Sequence, residues 1–220
     1  MDYLVTMTTE VPGGTADEVV AEIRGREAER SRELAIQGHL LRLWRPPLKP
    51  GEWRTIGLFA ATDEVELEDV LASMPLRVWR SDQVSALGAH PNDPGRSGAA
   101  KAPEFLTTFT VTIPDNAVVA EVKELQNREA DRTRELAEQG HLARLWMLPP
   151  TPGSWRALGL WRAKDGQELQ TMLTSLPMDK WMRIETMALM EHPNDPAAAR
   201  AGATSSPDHQ TGEPSCHPST

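Results

Sequence analysis

Two glutamates stand in helix rows that are otherwise apolar. Val20, Ile23 and Leu34 recur at the spacing of one helix face, and this row passes through Glu27. The same row, shifted by 102 residues, passes through Glu129. A carboxylate that is partly removed from water has a raised pKa, which suits it to proton transfer near neutral pH. We therefore take both glutamates as candidate catalytic acid–base groups.

The same spacing also fits a structural ion pair. Arg30 follows Glu27 by three residues and Arg26 precedes it, and Arg132 and Arg128 repeat this arrangement around the second glutamate. Residues three apart on a helix lie on one face, so each arginine can neutralise its glutamate without any chemistry. Helix geometry alone leaves the catalytic and the structural interpretation open.

The segment HLLRLW contributes a second group of candidates. Strict alternation along a strand places Leu40, Arg42 and Trp44 on one face. An arginine beside a tryptophan can hold the carboxylate of an anionic ligand through two hydrogen bonds, against an aromatic wall. Arg144 and Trp146 repeat the pair. These side chains are candidate substrate-binding residues; the alternative is that the arginines extend along the surface with their charged heads in water.

Histidines precede these strands and recur in the segment HPNDP. His39 and His141 begin the two strand segments, and His90 and His192 begin the two HPNDP segments. An imidazole can carry a proton near neutral pH, so His39 and His141 join the candidate substrate-binding residues. The histidine spacing is not that of a metal site, and capping or loop roles are the alternative.

An internal repeat determines the domain organisation. With the offset of 102 residues, 16 of the 22 positions from 26 to 47 are identical, and the register continues without a gap to the second HPNDP segment. The chain is therefore a tandem duplication. We predict one repeat over residues 1–94, a linker over residues 95–103, a second repeat over residues 104–196 and a disordered tail over residues 197–220.

Each repeat has the pattern of a β-α-β-β-α-β unit, an α+β fold of the ferredoxin-like type. In the first repeat we predict strands over residues 3–9, 39–45, 53–61 and 83–89. A long helix is expected over residues 16–37 with its stop at Gly38, and a second helix is expected after a cap at Asp63. Because helices cover only one face of such a sheet, we expect the two sheets to pack together within one chain.

Composition narrows the class of function. The net charge of −9 argues against a nucleic-acid-binding protein, and no apolar run approaches the ~20 residues that cross a membrane. The N-terminus lacks the pattern of a leader, and Cys216 is the single cysteine. Dinucleotide, phosphate-loop, nucleophile-elbow and zinc motifs are absent from the sequence. We expect a cytoplasmic protein that performs acid–base chemistry on a small molecule without a cofactor or metal.

Three segments of each repeat resemble muconolactone Δ-isomerase. In the first repeat these are EAERSRELAIQGHLLRLWR, SMPL and the terminal HP, and the second repeat has EADRTRELAEQGHLARLW, SLPM and HP. The resemblance implies a dimeric α+β barrel, and family members assemble from single-copy subunits into larger rings. It also implies proton transfer on a carboxylated five-membered lactone, with Glu27 and Glu129 as the catalytic glutamates. A homo-oligomer of the tandem chain is therefore an expectation.

The chain departs from this family pattern at several positions. Where family enzymes carry a lysine three residues before the glutamate, the two repeats have Arg24 and Gln126, and a family histidine is replaced by Arg42 and Arg144. Arginine does not release its proton as lysine can. The departures favour another small cyclic or polyketide-like substrate. Because the first repeat has the more positive surroundings, we expect Glu27 to titrate below Glu129 and to serve a more anionic ligand.

Three functions are consistent with this sequence. The leading one is a cofactor-independent isomerase or cyclase that moves a proton next to a carbonyl of a lactone-like substrate. The same barrel fold also hosts cofactor-free monooxygenases of aromatic polyketides, and a non-catalytic ligand-binding barrel is the third interpretation.

Overall fold

The computed structural model describes residues 1–95 and 102–198, and it confirms the predicted order of elements in both repeats. The predicted linker and the predicted disordered tail fall mainly on residues 96–101 and 199–220, outside the described residues. The elements of the first repeat are β1 (Asp2–Thr9), α1 (Asp17–Ile36), β2 (Leu40–Arg45), β3 (Arg54–Ala60), α2 (Glu64–Ala72), a 3-10 turn (Pro75–Trp79) and β4 (Arg80–Ala89). Those of the second repeat are β5 (Glu104–Val111), α3 (Val119–Glu138), β6 (Leu142–Thr151), β7 (Ser154–Arg162), α4 (Gly166–Thr174), a 3-10 turn (Asp179–Trp181) and β8 (Met182–Glu191).

The eight strands form one closed barrel in the order β1-β3-β2-β8-β5-β7-β6-β4. Each repeat contributes four antiparallel strands, and the two sheets join at β2–β8 and at β4–β6. Trp44 pairs with Glu191 at one junction, and Trp146 pairs with Ala89 at the other. These pairs are equivalent under the 102-residue offset, so the two junctions are reciprocal, as in a two-fold symmetric dimer. The predicted intramolecular α+β barrel is therefore confirmed.

Barrel closure divides the buried apolar residues into three clusters. The barrel interior combines side chains from both repeats, including Trp44, Leu58, Trp146 and Leu160. Each repeat also has a cluster between its helices and the outer face of its own sheet. The sheet is thus covered on both faces, because the second repeat supplies the layer that a single repeat lacks.

Local signals set the ends of the helices as predicted. Gly38 has a φ of 83°, and the following His39 N–H donates to the Leu34 carbonyl at 2.9 Å, which closes α1 with a glycine cap. The Asp63 carboxylate accepts the N–H groups of Val65 and Glu66 at the start of α2. The predicted stop and the predicted cap are both confirmed.

Two strand predictions are wrong. A β-bulge between Leu40 and Arg42 breaks the alternation of β2, so Leu40 packs under the helices while Trp44 packs inside the barrel. The predicted common face of Leu40, Arg42 and Trp44 therefore does not exist. The last strand begins at Arg80 rather than at residue 83, because RSDQ reads as a polar loop although its arginine is buried.

Candidate active site

Glu27 lies on the buried face of α1, as the helix row predicts. Only 8% of the residue is exposed. Its Oε2 accepts the backbone N–H of Leu76 at 2.9 Å, and Leu76 follows the proline of the SMPL segment. The hydroxyl of Ser73, the first residue of that segment, accepts a hydrogen bond from Arg30 Nε at 2.9 Å. The SMPL turn is thus held against α1 at two points, one of which is the glutamate itself.

Arg80, which sequence reasoning missed, is the cation beside Glu27. Its Nη1 lies 3.2 Å from Glu27 Oε1, and its Nε lies 2.7 Å from Asp82 Oδ1. The helix neighbour Arg30 instead pairs with Glu33 at 2.8 Å. An ion pair therefore exists in the first repeat, but its partner comes from β4. A polar run at a strand start carries no periodic signal that would have revealed this contact.

Glu129 occupies the same place in α3 without such a cation. Its Oε2 accepts the Met178 N–H at 2.9 Å, which matches the Leu76 contact of the first repeat. Met182 stands at the position equivalent to Arg80, and Arg132 pairs with Glu135 at 2.9 Å. Within residues 1–95 and 102–198, no ion pair to Glu129 is present.

Burial raises the pKa of both carboxyl groups. For Glu27, desolvation is the largest effect; the Leu76 N–H and the Arg80 charge oppose it, and Asp82 adds to the rise. For Glu129, desolvation again raises the pKa most, the Met178 N–H opposes it and Asp179 adds to it. Both groups are therefore easier to protonate than an exposed glutamate, which favours proton transfer near neutral pH.

Glu27 lines a cavity of about 340 Å³ between α1 and the outer face of the first sheet, which we call cavity one. The guanidinium of Arg24 lies 5.2 Å from the centre of the Trp53 ring. Apolar side chains such as Leu43 and Met74 form the rest of the wall. Four arginines line cavity one: Arg24, Arg45, Arg54 and Arg80.

Glu129 lines a cavity of about 540 Å³ in the second repeat, which we call cavity two. Neither arginine nor lysine occurs among the described residues that line it. The positions of Arg24, Arg45 and Arg80 carry Gln126, Met147 and Met182 in this cavity. Its walls include three large aromatic rings: Phe109, Trp155 and Trp161.

Each cavity is completed by the opposite repeat. His192, Pro193 and Asn194, which follow β8, line cavity one. The equivalent segment 90–92, which follows β4, lines cavity two. Because the HPN segments cross between repeats, a single repeat would lack part of its own cavity wall.

The two cavity histidines are held by their own loops. The Asn194 N–H donates to His192 Nδ1 at 3.1 Å, and the Asn92 N–H donates to His90 Nδ1 at the same distance. Burial and the charge of Arg45 lower the pKa of His192 to about 4, although Asp195 opposes them. Burial also lowers the pKa of His90. His192 is therefore neutral at physiological pH.

The structure places Arg42 and Trp44 away from cavity one. Arg42 Nη2 lies 2.6 Å from Glu104 Oε2 and 3.0 Å from Asp195 Oδ2, and Trp44 Nε1 donates to Glu104 Oε2 at 2.7 Å. The guanidinium also stacks 4.7 Å from the Trp44 ring centre, so the predicted adjacency is present. Because protein carboxylates already occupy this arginine, we do not keep these two residues in the proposed site.

Arg144 and Trp146 repeat this arrangement at the other junction. Arg144 Nη2 lies 3.0 Å from Asp2 Oδ2, its Nε lies 3.1 Å from Asp93 Oδ2, and Trp146 Nε1 donates to Asp2 Oδ2 at 3.0 Å. Neither residue is among the residues that line cavity two. Asp93 and Asp195 directly follow the two HPN segments, so the two arginines anchor the segments that cross between repeats.

His39 and His141 contact the backbone. The Nδ1 of His39 lies 3.1 Å from the Ala60 carbonyl, and that of His141 lies 3.1 Å from the Arg162 carbonyl. Neither histidine is among the residues that line the two cavities. Their hydrogen bonds connect the start of β2 or β6 to the end of the neighbouring strand, and we leave both out of the proposed site.

The described residues contain neither a membrane-spanning helix nor a metal-binding cluster. None of the described helices is long and apolar enough to cross a membrane. In residues 1–95 and 102–198, no cluster of three or more His, Cys, Asp or Glu side chains is arranged to hold a metal ion.

A family model matches the chain twice. The model described as muconolactone delta-isomerase matches residues 1–93 and again residues 104–195. The chain belongs to the muconolactone delta-isomerase family. The resemblance noted from the sequence is thereby confirmed, and so is the prediction of an enzyme of an isomerase family.

Two relatives are muconolactone delta-isomerases from Acinetobacter. The enzyme of Acinetobacter baylyi (strain ATCC 33305 / BD413 / ADP1) is 27% identical over 90 residues, and muconolactone delta-isomerase 1 of Acinetobacter lwoffii is 29% identical over 90 residues. Each match covers 41% of this chain and 91% of the relative. One repeat of this chain therefore corresponds to nearly the whole of a relative.

A solved structure supports the fold class. The chlorite dismutase of Candidatus Nitrospira defluvii, in complex with imidazole, aligns with a TM-score of 0.57 over 87% of this chain and 91% of its own. The sequences are 7% identical, so this likeness concerns the fold alone.

Proposed function

We propose that this protein is a cofactor-independent isomerase that moves a proton next to a carbonyl of a small cyclic, lactone-like substrate. Glu27 and Glu129 are the catalytic acid–base groups, one in each cavity. The observation that carries the proposal is a repeated geometry: a helix carboxylate, buried for Glu27 and half-buried for Glu129, accepts a backbone N–H at the wall of a cavity. Family membership supports the reaction class.

The proposed chemistry needs one group that first accepts and then donates a proton. The carboxylate removes a proton from the saturated carbon next to a C=C bond that is conjugated to the lactone carbonyl, and the electron pair of the broken C–H bond is delocalised onto the carbonyl oxygen. The protonated glutamate then returns the proton to another carbon of the same conjugated system, and the double bond shifts. Atoms and electrons balance within the substrate. The N–H of Leu76 or Met178 holds one carboxylate oxygen and so orients the group for this transfer.

Cavity one suits an anionic substrate. Among the described residues, Arg80 pairs with Glu27 and Asp82, and Arg54 pairs with Glu52. Arg24 and Arg45 form no ion pair with a described carboxylate, so their positive charge is available to a ligand. Arginine binds carboxylates through paired, charge-assisted hydrogen bonds. A substrate with a carboxylate, as the name muconolactone implies for the relatives, would find these donors in cavity one.

The test uses muconolactone and the variants Glu27→Gln, Glu129→Gln and the double variant. Glutamine keeps the shape of the side chain and its bond to the backbone N–H, but it cannot accept the substrate proton. A general base contributes roughly 10²–10⁴-fold, so the double variant should lose at least the lower end of that range. NMR in D₂O can follow both the isomerised product and the exchange of substrate protons with solvent.

Matched controls lie on the same two helices. Glu29 and Asp131 are exposed and stand two residues after the catalytic candidates. Glu29→Gln and Asp131→Asn remove the same charge from each helix and should leave turnover within about twofold. Turnover of the Glu27→Gln/Glu129→Gln protein at the wild-type rate would show that both glutamates are structural.

A further inference from the structure

We propose that cavity two binds a neutral, hydrophobic ring compound that carries a carbonyl or hydroxyl oxygen, and that it rejects anionic ligands. The inference deepens the proposed function by naming the ligand class of the second site, and it rests on the proposed function only for what happens after binding. The two repeats would then serve chemically different ligands within one chain.

Cavity two lacks most of the positive charge of cavity one. Three of the four arginines of cavity one are replaced in cavity two by uncharged residues, Gln126, Met147 and Met182. Taking a ligand carboxylate out of water costs a large free energy unless a cation or several hydrogen-bond donors compensate it. The cavity also holds the carboxylate of Glu129, whose charge would repel an anion.

The wall of cavity two is more aromatic and less polar than that of cavity one. Two replacements make the wall less polar or more aromatic: Thr55 of cavity one corresponds to Ala157, and Met7 corresponds to Phe109. The Phe109 and Trp161 rings lie 6.3 Å apart between centroids, inclined at 60°. Aromatic walls favour flat, apolar rings. The volume of about 540 Å³ falls within the ~300–1,000 Å³ of sites that enclose drug-sized ligands.

One side chain of the wall of cavity two has a hydrogen-bond donor without an acceptor. Trp161 is a wall residue of cavity two, and within the described residues its buried Nε1–H has no hydrogen-bond partner. The equivalent residue of the first repeat is Phe59, which has no such donor. A buried donor that remains unpaired costs free energy. The Nε1 atom packs against Gly159, so a ligand oxygen pairs with it, and removes that cost, when the indole ring turns toward the cavity. The second repeat has therefore lost arginine donors and gained an indole donor, which favours a neutral oxygen.

Two probes of the same ring size test this inference. At pH 7, 2-naphthol is neutral and 2-naphthoate is an anion, and isothermal titration calorimetry can measure the binding of each to the full chain. We expect one 2-naphthol site per chain. Met147→Arg and Met182→Arg each place in cavity two the residue that cavity one has, and each should weaken 2-naphthol binding at least tenfold.

The control variant is Met187→Arg. Met187 also lies on β8, but it is 37% exposed and is not a wall residue of cavity two. It adds the same charge to the same strand and should leave 2-naphthol affinity within about twofold. A second variant, Trp161→Phe, installs the residue of the first repeat, and it should weaken 2-naphthol several-fold while leaving naphthalene binding unchanged.

The inference is overturned if wild-type protein fails to bind 2-naphthol at millimolar concentration, or if both arginine variants bind it as wild type does. Displacement of bound 2-naphthol by an equal or lower concentration of 2-naphthoate would also overturn it, because the two probes would then share cavity two. The Glu27→Gln/Glu129→Gln protein separates the two proposals. Loss of turnover with intact 2-naphthol binding supports both, whereas intact turnover with intact binding sinks only the proposed function.

Discussion

Cavity one and cavity two share a helix, a turn and a glutamate, and they differ in charge. In both, a proline-containing turn donates a backbone N–H to the carboxylate at 2.9 Å. The cavity walls around that contact differ. Arg45 and Arg80 line cavity one, and Met147 and Met182 occupy the equivalent positions in cavity two. The two repeats thus kept the placement of the carboxylate, whereas the charge of the surrounding cavity wall changed.

The junctions between the repeats show a second contrast. The side chain of Arg42 is 4% exposed and pairs with carboxylates that are 6% and 7% exposed. The side chain of Arg144 is 14% exposed, and its two partners are 23% and 20% exposed. An arginine between two carboxylates is thus buried at one junction and partly exposed to solvent at the other, and the buried junction also has Arg162, whose Nε lies 3.4 Å from Glu104 Oε1.

The largest expected effect comes from this second contrast. Arg42→Met leaves Asp195 buried without its cation, while Glu104 keeps a longer contact of 3.4 Å with Arg162 Nε. Removing one partner of a buried ion pair costs about 3–5 kcal/mol. Arg144→Met exposes its carboxylates to nearby water, so a loss of about 1–3 kcal/mol is expected. Urea denaturation of the two variants measures both losses. Equal losses would show that the difference in burial has no energetic consequence.

A smaller effect is expected when each cavity glutamate becomes glutamine. Because the folded-state pKa of Glu129 is raised, the folded protein holds this proton more tightly than the unfolded chain does. The contribution of this group to stability is therefore greatest below its unfolded pKa and declines as the pH rises through its folded pKa. Glu129→Gln removes a half-buried charge and should stabilise the protein by up to about 1 kcal/mol at pH 8, and by much less at pH 4.

Glu27→Gln should stabilise the protein less than Glu129→Gln does. It also removes a buried charge, but it takes an anionic partner from Arg80, so its gain at pH 8 should be smaller than that of Glu129→Gln. Thermal melts of both variants across pH 4–8 provide the measurement. A larger gain for Glu27→Gln would contradict the role assigned to Arg80.

The smallest effect concerns the cavity histidines. Burial and Arg45 lower the pKa of His192 to about 4, whereas Met147 occupies the equivalent position next to the other HPN segment. His192 should therefore stay neutral from pH 5 to 8, and His90 should titrate at a higher pH. Arg45→Met should raise the pKa of His192. The shifts of the ring protons in NMR spectra report these titrations, and an unchanged His192 in the variant would remove Arg45 as a cause.

Much of the fold and the central residue of each site could be predicted from the sequence. The helix row through Glu27 is a local pattern with a fixed period, and its burial followed directly. Gly38 and Asp63 act on neighbouring backbone groups, so their roles could be read without any tertiary information. The hydrogen-bond partners of Arg42 and Trp44 could not be predicted, because they lie far along the chain.

The duplication, the order of elements, the placement of both glutamates on the inner face of a helix and the family could be predicted from the sequence, since each depends on residue types and on spacings along the chain. Only the tertiary structure decided which charges meet. Arg80 reaches Glu27 across 53 residues, and Arg42 reaches Asp195 across 153. The first contact forms because α1 packs on the sheet that contains β4. The second forms because barrel closure joins strands of opposite repeats and brings each HPN segment to the other cavity. No local period along the chain records such a contact.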